Sequence, residues 1–149
     1  IRCDAEDDRP DMWTSDRIEL GLKSAAQSIS VGNPAEALSQ IDTVVKLLED
    51  TMKITDEILL PTSCRFLDGM EWRAKEDWMS RNNNPDSPEE RFIYRATRMN
   101  GVETCYCLFP GNYYDMLNEK SFDLIRNHPD FKKFCERVKA LIVIRPKEN

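Results

Sequence analysis

The chain has 149 residues, 40% of them hydrophobic, and a formal net charge of −6. That length suits one domain with one core. The acidic balance argues against nonspecific nucleic-acid binding, which needs the opposite sign. Five glycines and eight prolines are few for a turn-rich all-β protein and favour longer regular elements.

The acidic excess lies in the N-terminal half. Residues 1–75 hold 9 Lys/Arg against 15 Asp/Glu, and residues 76–149 hold 12 of each. Ile1 in place of Met reads as a fragment or processed form, so a targeting segment would lie outside the sequence. The longest apolar run, Ala140–Ile144, falls well short of the roughly 20 residues a membrane span needs. Cys3, Cys64, Cys105, Cys107 and Cys135 are odd in number. They read as free thiols of a reducing compartment, which predicts a cytoplasmic protein.

Residues 1–11 are charged and aperiodic, with Asp4, Glu6, Asp7 and Asp8 clustered, and read as a flexible acidic lead-in. Residues 12–145 read as a single compact helical domain. A first helix starts near Thr14 or Ser15, with Asp16 in its first turn. Ile18, Leu22, Ala25, Ala26 and Ile29 recur on one face, and Gly32 ends the helix. Asn33-Pro34-Ala35-Glu36 then opens a second helix, with Asn as N-cap and Pro in the first turn. Its apolar stripe is Leu38, Ile41, Val44, Val45, Leu48 and Met52. So short a connection makes the pair an antiparallel hairpin.

Phe66, Leu67, Met70, Ala74 and Trp78 give a third predicted helix over 64–81, and 82–86 (NNNPD) is a loop. Ser87-Pro88-Glu89-Glu90 repeats the earlier start pattern and favours a fourth helix over 88–100. A rival reading makes 91–109 a β-hairpin. Phe92-Tyr94-Ala96 and Val102-Thr104-Tyr106-Leu108 alternate, with Asn100-Gly101 as the turn. Residues 122–131 (FDLIRNHPDF) read as a helical turn, a break and a new helix opened by Pro129. Phe131, Phe134, Cys135, Val138, Leu141 and Ile142 line one face of that last helix.

Two segments resemble the tetratricopeptide (TPR) family. From Ile18 to Thr51, Ala25, Gly32, Ala37, Ile41 and Val44 have the spacing of one repeat unit. Gly21, Ser24 and Ser28 stand where the family prefers an aromatic, a Leu and a Tyr. Residues 122–131 are similar to the closing segment of many bacterial TPR-containing proteins, departing at His128 and Asp130. The fold expected is mainly α: a TPR-like antiparallel hairpin, further packed helices, and the rival β-hairpin at 91–109. The resemblance implies a non-catalytic domain that binds another protein or peptide along an exposed groove.

Candidate contact residues are Trp72, Trp78, Tyr113 and Tyr114, of the types enriched at interface hot spots. Helical spacing puts Trp72 on a flank beside Lys75 and Glu76. Two other functions compete: a small acidic inhibitor of immunity type that binds a basic effector, and a thiol- or metal-dependent enzyme built on Cys105, Cys107, Cys135 and His128. His128 is the only histidine. Cys105-Tyr106-Cys107 fits no common zinc ligand spacing, and the five glycines are isolated, so no phosphate loop exists. No cofactor, metal, nucleic acid or membrane is therefore expected, and no catalytic residue is assigned.

Overall fold

The computed structural model describes the backbone of residues 14–53, 58–59, 71–80, 89–99 and 102–142, and the side chains of 14–53 and 108–142. The part described with side chains is mainly helical. It contains α1 (Thr14–Ser30), α2 (Pro34–Met52), α3 (Pro110–Leu117), a 3₁₀ helix (Lys120–Ile125) and α4 (Pro129–Ala140). The flexible lead-in expected over 1–11 lies outside the described residues.

Local chemistry sets the α1–α2 turn. Gly32 has φ of +82°, a left-handed conformation that costs glycine little. Its N–H donates to the Ile29 carbonyl, and that of Asn33 to Ser28, at 3.0 and 2.8 Å. These two bonds are the pattern of a Schellman cap, which satisfies carbonyls left over at a helix end. Asn33 then turns the chain into α2, its side-chain oxygen accepting from the Glu36 N–H at 3.3 Å, with Pro34 in the first turn.

The two helices approach closely at Gly21. A Cβ there would lie 2.2 Å from Val44 Cγ1, so only glycine permits this separation. Two turns further along α1, the Ser28 hydroxyl donates to Gln40 Oε1 at 3.0 Å. Ile18, Leu22, Ala25 and Ile29 of α1 and Ala37, Ile41, Val45 and Leu48 of α2 are all buried. Their spacing is that of one continuous apolar face on each helix.

The second helical pair closes this core. α3 packs on α1, α4 on both α2 and α3, and the 3₁₀ helix on α1. Tyr113, Leu117, Phe122, Ile125, Phe131, Phe134 and Val138 join the same cluster. Phe122 and Phe131 stack with ring centroids 5.9 Å apart and planes inclined by 20°, so the 3₁₀ helix and α4 are tied by an aromatic pair.

Between the two helical pairs the described backbone is extended. β1 (Ile58–Leu59), β2 (Glu71–Ser80), β3 (Glu89–Met99) and β4 (Val102–Leu108) form an antiparallel sheet in the order β1-β2-β3-β4. This corrects two expectations. The helix expected over 64–81 is a strand over 71–80, and the helix expected over 88–100 is a strand over 89–99. Ten consecutive pairs join β2 to β3, from Glu71 opposite Arg98 to Ser80 opposite Glu89. Ladder hydrogen bonds from neighbouring strands outweigh a helix-start signal that is local and small. The domain is therefore helical at both ends of the described chain, with a sheet between. β4 ends at Leu108, which is buried in the helical core with Phe109 following it.

Candidate functional site

Of the four expected contact residues, Tyr113 and Tyr114 lie in the part described with side chains. Trp72 and Trp78 belong to β2, opposite Thr97 and Arg91, and their side chains lie outside the described part. The flank assigned to Trp72 assumed helical spacing and does not carry over to a strand. Tyr113 is a core residue, 6% exposed. Pro110 starts α3, and Tyr113 and Leu117, four apart, both turn inward. Tyr114 is half-buried against the same cluster.

The residues expected to carry thiol or metal chemistry are placed as follows. His128 is the N-cap of α4, its Nδ1 accepting from the Asp130 N–H at 3.1 Å. That bond uses the ring nitrogen a general base would need. Cys135 is half-buried, and burial is the chief cause pushing its thiol up from the ordinary value, with the nearby Arg126 charge acting the other way. A raised thiol is a poor nucleophile near neutral pH. Cys105 and Cys107 lie in β4 opposite Ala96 and Tyr94, and their side chains are outside the described part. Among the described residues no three His, Cys, Asp or Glu side chains gather as metal ligands.

Two arginines organise the polar surface. Arg126 follows the 3₁₀ helix and spreads its guanidinium over three partners. Nη1 donates to the Leu117 carbonyl at 3.1 Å, Nη2 to the Glu119 carbonyl at 2.8 Å, and Nε to Asp123 Oδ1 at 2.9 Å. The same group lies 5.6 Å from the Phe131 ring centroid, within cation–π range. Leu117 ends α3, so Arg126 satisfies a carbonyl that the helix leaves open.

Arg137 does the same work between α4 and α2. It pairs with Asp42 at 3.3 Å and forms a two-nitrogen contact with Glu49. Its guanidinium also lies 5.8 Å from the Phe134 ring. Asp42 is held below the ordinary carboxylate range, first by its hydrogen bond with Lys46 and then by Arg137. The Glu49 hydrogen bond is the largest cause raising the Arg137 pKa.

Sequence reading picked out neither Arg137 nor the contact at Gly21. Arg126 was noted within the Phe122–Phe131 segment, and its i,i+3 spacing from Asp123 was the available signal. Arg137 has partners 88 and 95 residues away, and no local pattern announces such a contact.

The described helical core holds one small cavity next to its centre. A cavity of about 10 Å³ is lined by Ile18, Leu22, Val44, Tyr113, Leu117 and Val138, among others. That is about the space of one water, and the walls are apolar. A drug-sized ligand needs several hundred Å³. Among the described residues, the large apolar side chains that stand in solvent are Leu20, Val31 and Leu124, 61%, 68% and 84% exposed. No described helix is long and apolar enough to cross a membrane. Comparison of the chain with family models, curated proteins and solved structures finds no match.

Proposed function

We propose that this chain is a non-catalytic protein-interaction domain of TPR-like build, in which the α1–α2 and α3–α4 pairs stack as two hairpins. The observation that carries the reading is how the described polar side chains are used. His128 caps a helix, Arg126 and Arg137 tie helices together, and the Cys135 thiol is pushed up by burial. Side chains spent on architecture leave surface contact as the available chemistry.

The contact surface assigned is the outer face of α1. Leu20, Ser24, Gln27 and Val31 follow one another at helical spacing of four, three and four, and the row has solvent-exposed Leu and Val at its ends. The expected ligand is a protein segment that lays apolar side chains along this row.

Selection of displayed peptides on the wild-type protein, followed by affinity measurement, tests this. The reading predicts enriched peptides that lose at least tenfold in affinity, about 1.4 kcal/mol, against L20D/V31D. The double variant should keep its circular dichroism, since both sites are exposed. Enriched peptides that bind it equally well would overturn the assignment.

A further inference from the structure

The cysteines and the histidine that a metal reading would combine fall on two elements. His128 spends Nδ1 on the α4 cap, and Cys135 belongs to α4. Cys105 and Cys107 lie together in β4. β4 pairs with β3 residue for residue from Val102 to Leu108, so no bulge breaks its alternation. The strand period of two then puts Cys105 and Cys107 on one face, and Leu108, buried in the helical core, on the other. The cross-strand rows add a second juxtaposition. Cys105 shares its row with Ala96 of β3 and Arg73 of β2, and Cys107 shares its row with Tyr94 and Lys75. Each cysteine therefore stands in line with one cation on the same face. Positive charge near a thiol favours the thiolate.

We infer that Cys105 and Cys107, side by side on one face of β4, form a two-thiolate site for a soft monovalent metal ion, Cu(I). Spacing decides between the chemistries open to two cysteines. Alternate residues of a strand lie about 6.6 Å apart. A disulfide needs Cβ atoms about 3.8 Å apart, so an intact β4 holds the pair too far apart for one. An ion held in line between two sulfurs needs them about 4.5 Å apart, twice a metal–sulfur bond of about 2.3 Å. Sulfurs one bond beyond such Cβ atoms reach that separation without moving the backbone. Zinc closes a structural site with four ligands, and Ala96 and Tyr94, opposite the cysteines, add no usual zinc ligand. Soft thiolates select Cu(I). Binding releases the two thiol protons. The complex then carries one net negative charge, which Arg73 and Lys75 offset. The inference does not rest on the α1 surface proposed above.

Anaerobic titration of the reduced full chain with Cu(I), in competition with a colorimetric chelator, tests this. One ion should be retained per chain. Alkylation by iodoacetamide and peptide mapping should then show Cys105 and Cys107 both slowed at least about tenfold by the ion. Cys3, Cys64 and Cys135 should label as they do without it. C105S and C107S should each bind the ion at least about a hundredfold more weakly, since each removes one of two ligands. C135S should bind it as tightly as wild type. The labelling map reads the wild-type chain, so it decides even where a variant fails to fold. Protection of any other cysteine overturns the inference. So does an ion held equally well by C105S, or one ion shared between two chains. Zn(II) that binds as tightly as Cu(I) and protects the same pair overturns it too, because zinc would need further ligands.

Discussion

Arg126 and Phe131 are five residues apart, yet the guanidinium covers the ring at 5.6 Å while two of its nitrogens hold carbonyls at the end of α3. The pair joins three elements. α3 ends on the arginine, Asp123 of the 3₁₀ helix accepts from it, and the ring under it belongs to α4 and stacks on Phe122. This contact explains why aromatic, acidic, basic, proline and aromatic residues follow in that order over 122–131. Each one serves the turn between two helices.

Arg126→Ala should therefore destabilise the domain by about 2 kcal/mol, since two carbonyls lose a charged donor. Arg126→Lys keeps the charge but not the planar fork, and should recover less than half of the loss. Urea unfolding followed by circular dichroism reads both. A lysine variant as stable as wild type would show that charge alone matters.

Gly21 gives a prediction with two opposing effects. Alanine in a helix interior is favoured over glycine by about 0.5–1 kcal/mol. Here the added Cβ would lie 2.2 Å from Val44 Cγ1, and overpacking of this kind costs about 1–3 kcal/mol. The clash should win, leaving Gly21→Ala destabilised by about 1 kcal/mol. Combining it with Val44→Ala removes the methyl that collides. The double variant should be more stable than the two single losses added together, a coupling expected of residues in contact.

The contrast between Gly21 and Gly32 shows where sequence is readable. Gly32 sits between a helical stripe and an Asn-Pro start, so its role as a stop is written in neighbouring residues. Gly21 lies inside an amphipathic run, and its reason is Val44, on another helix. The same division holds for the arginines: Arg126 has its acidic partner three residues away, whereas Arg137 depends on Asp42 and Glu49. It holds again for β2. Trp72, Ala74 and Trp78 fit strand alternation, while Ala74 and Trp78 also fit a helix, and the deciding partner is β3.

The raised thiol of Cys135 predicts slow chemistry. Burial disfavours the thiolate, and the thiolate is the form that attacks alkylating agents. With iodoacetamide at pH 8, Cys135 should be modified several-fold more slowly in the native protein than in urea, as peptide mapping of each cysteine would show. Arg126→Ala should slow it further in any variant that stays folded, because the arginine charge opposes the rise. Native labelling as fast as in urea would mean that the α4 packing opens readily.

Asp42 should make stability depend on pH in the acid range. Its folded pKa is lowered from the ordinary value of 3.8, by Lys46 first and Arg137 second. The folded state thus binds a proton less readily than the unfolded chain does. The resulting stabilisation is fully present above the unfolded pKa and is lost as pH falls through the folded one. Asp42 is 35% exposed, as a member of the Arg137 pair, so solvent screening keeps its share within about 1 kcal/mol. Urea midpoints measured from pH 5 down to pH 2 should fall more steeply for wild type than for Asp42→Asn. Arg137→Met should also flatten the profile, because it removes one of the two charges that lower Asp42. Lys46 remains in that variant, so it should flatten less than Asp42→Asn does. Equal slopes for wild type and Asp42→Asn would show that Lys46 and Arg137 together do not lower Asp42 enough to affect stability.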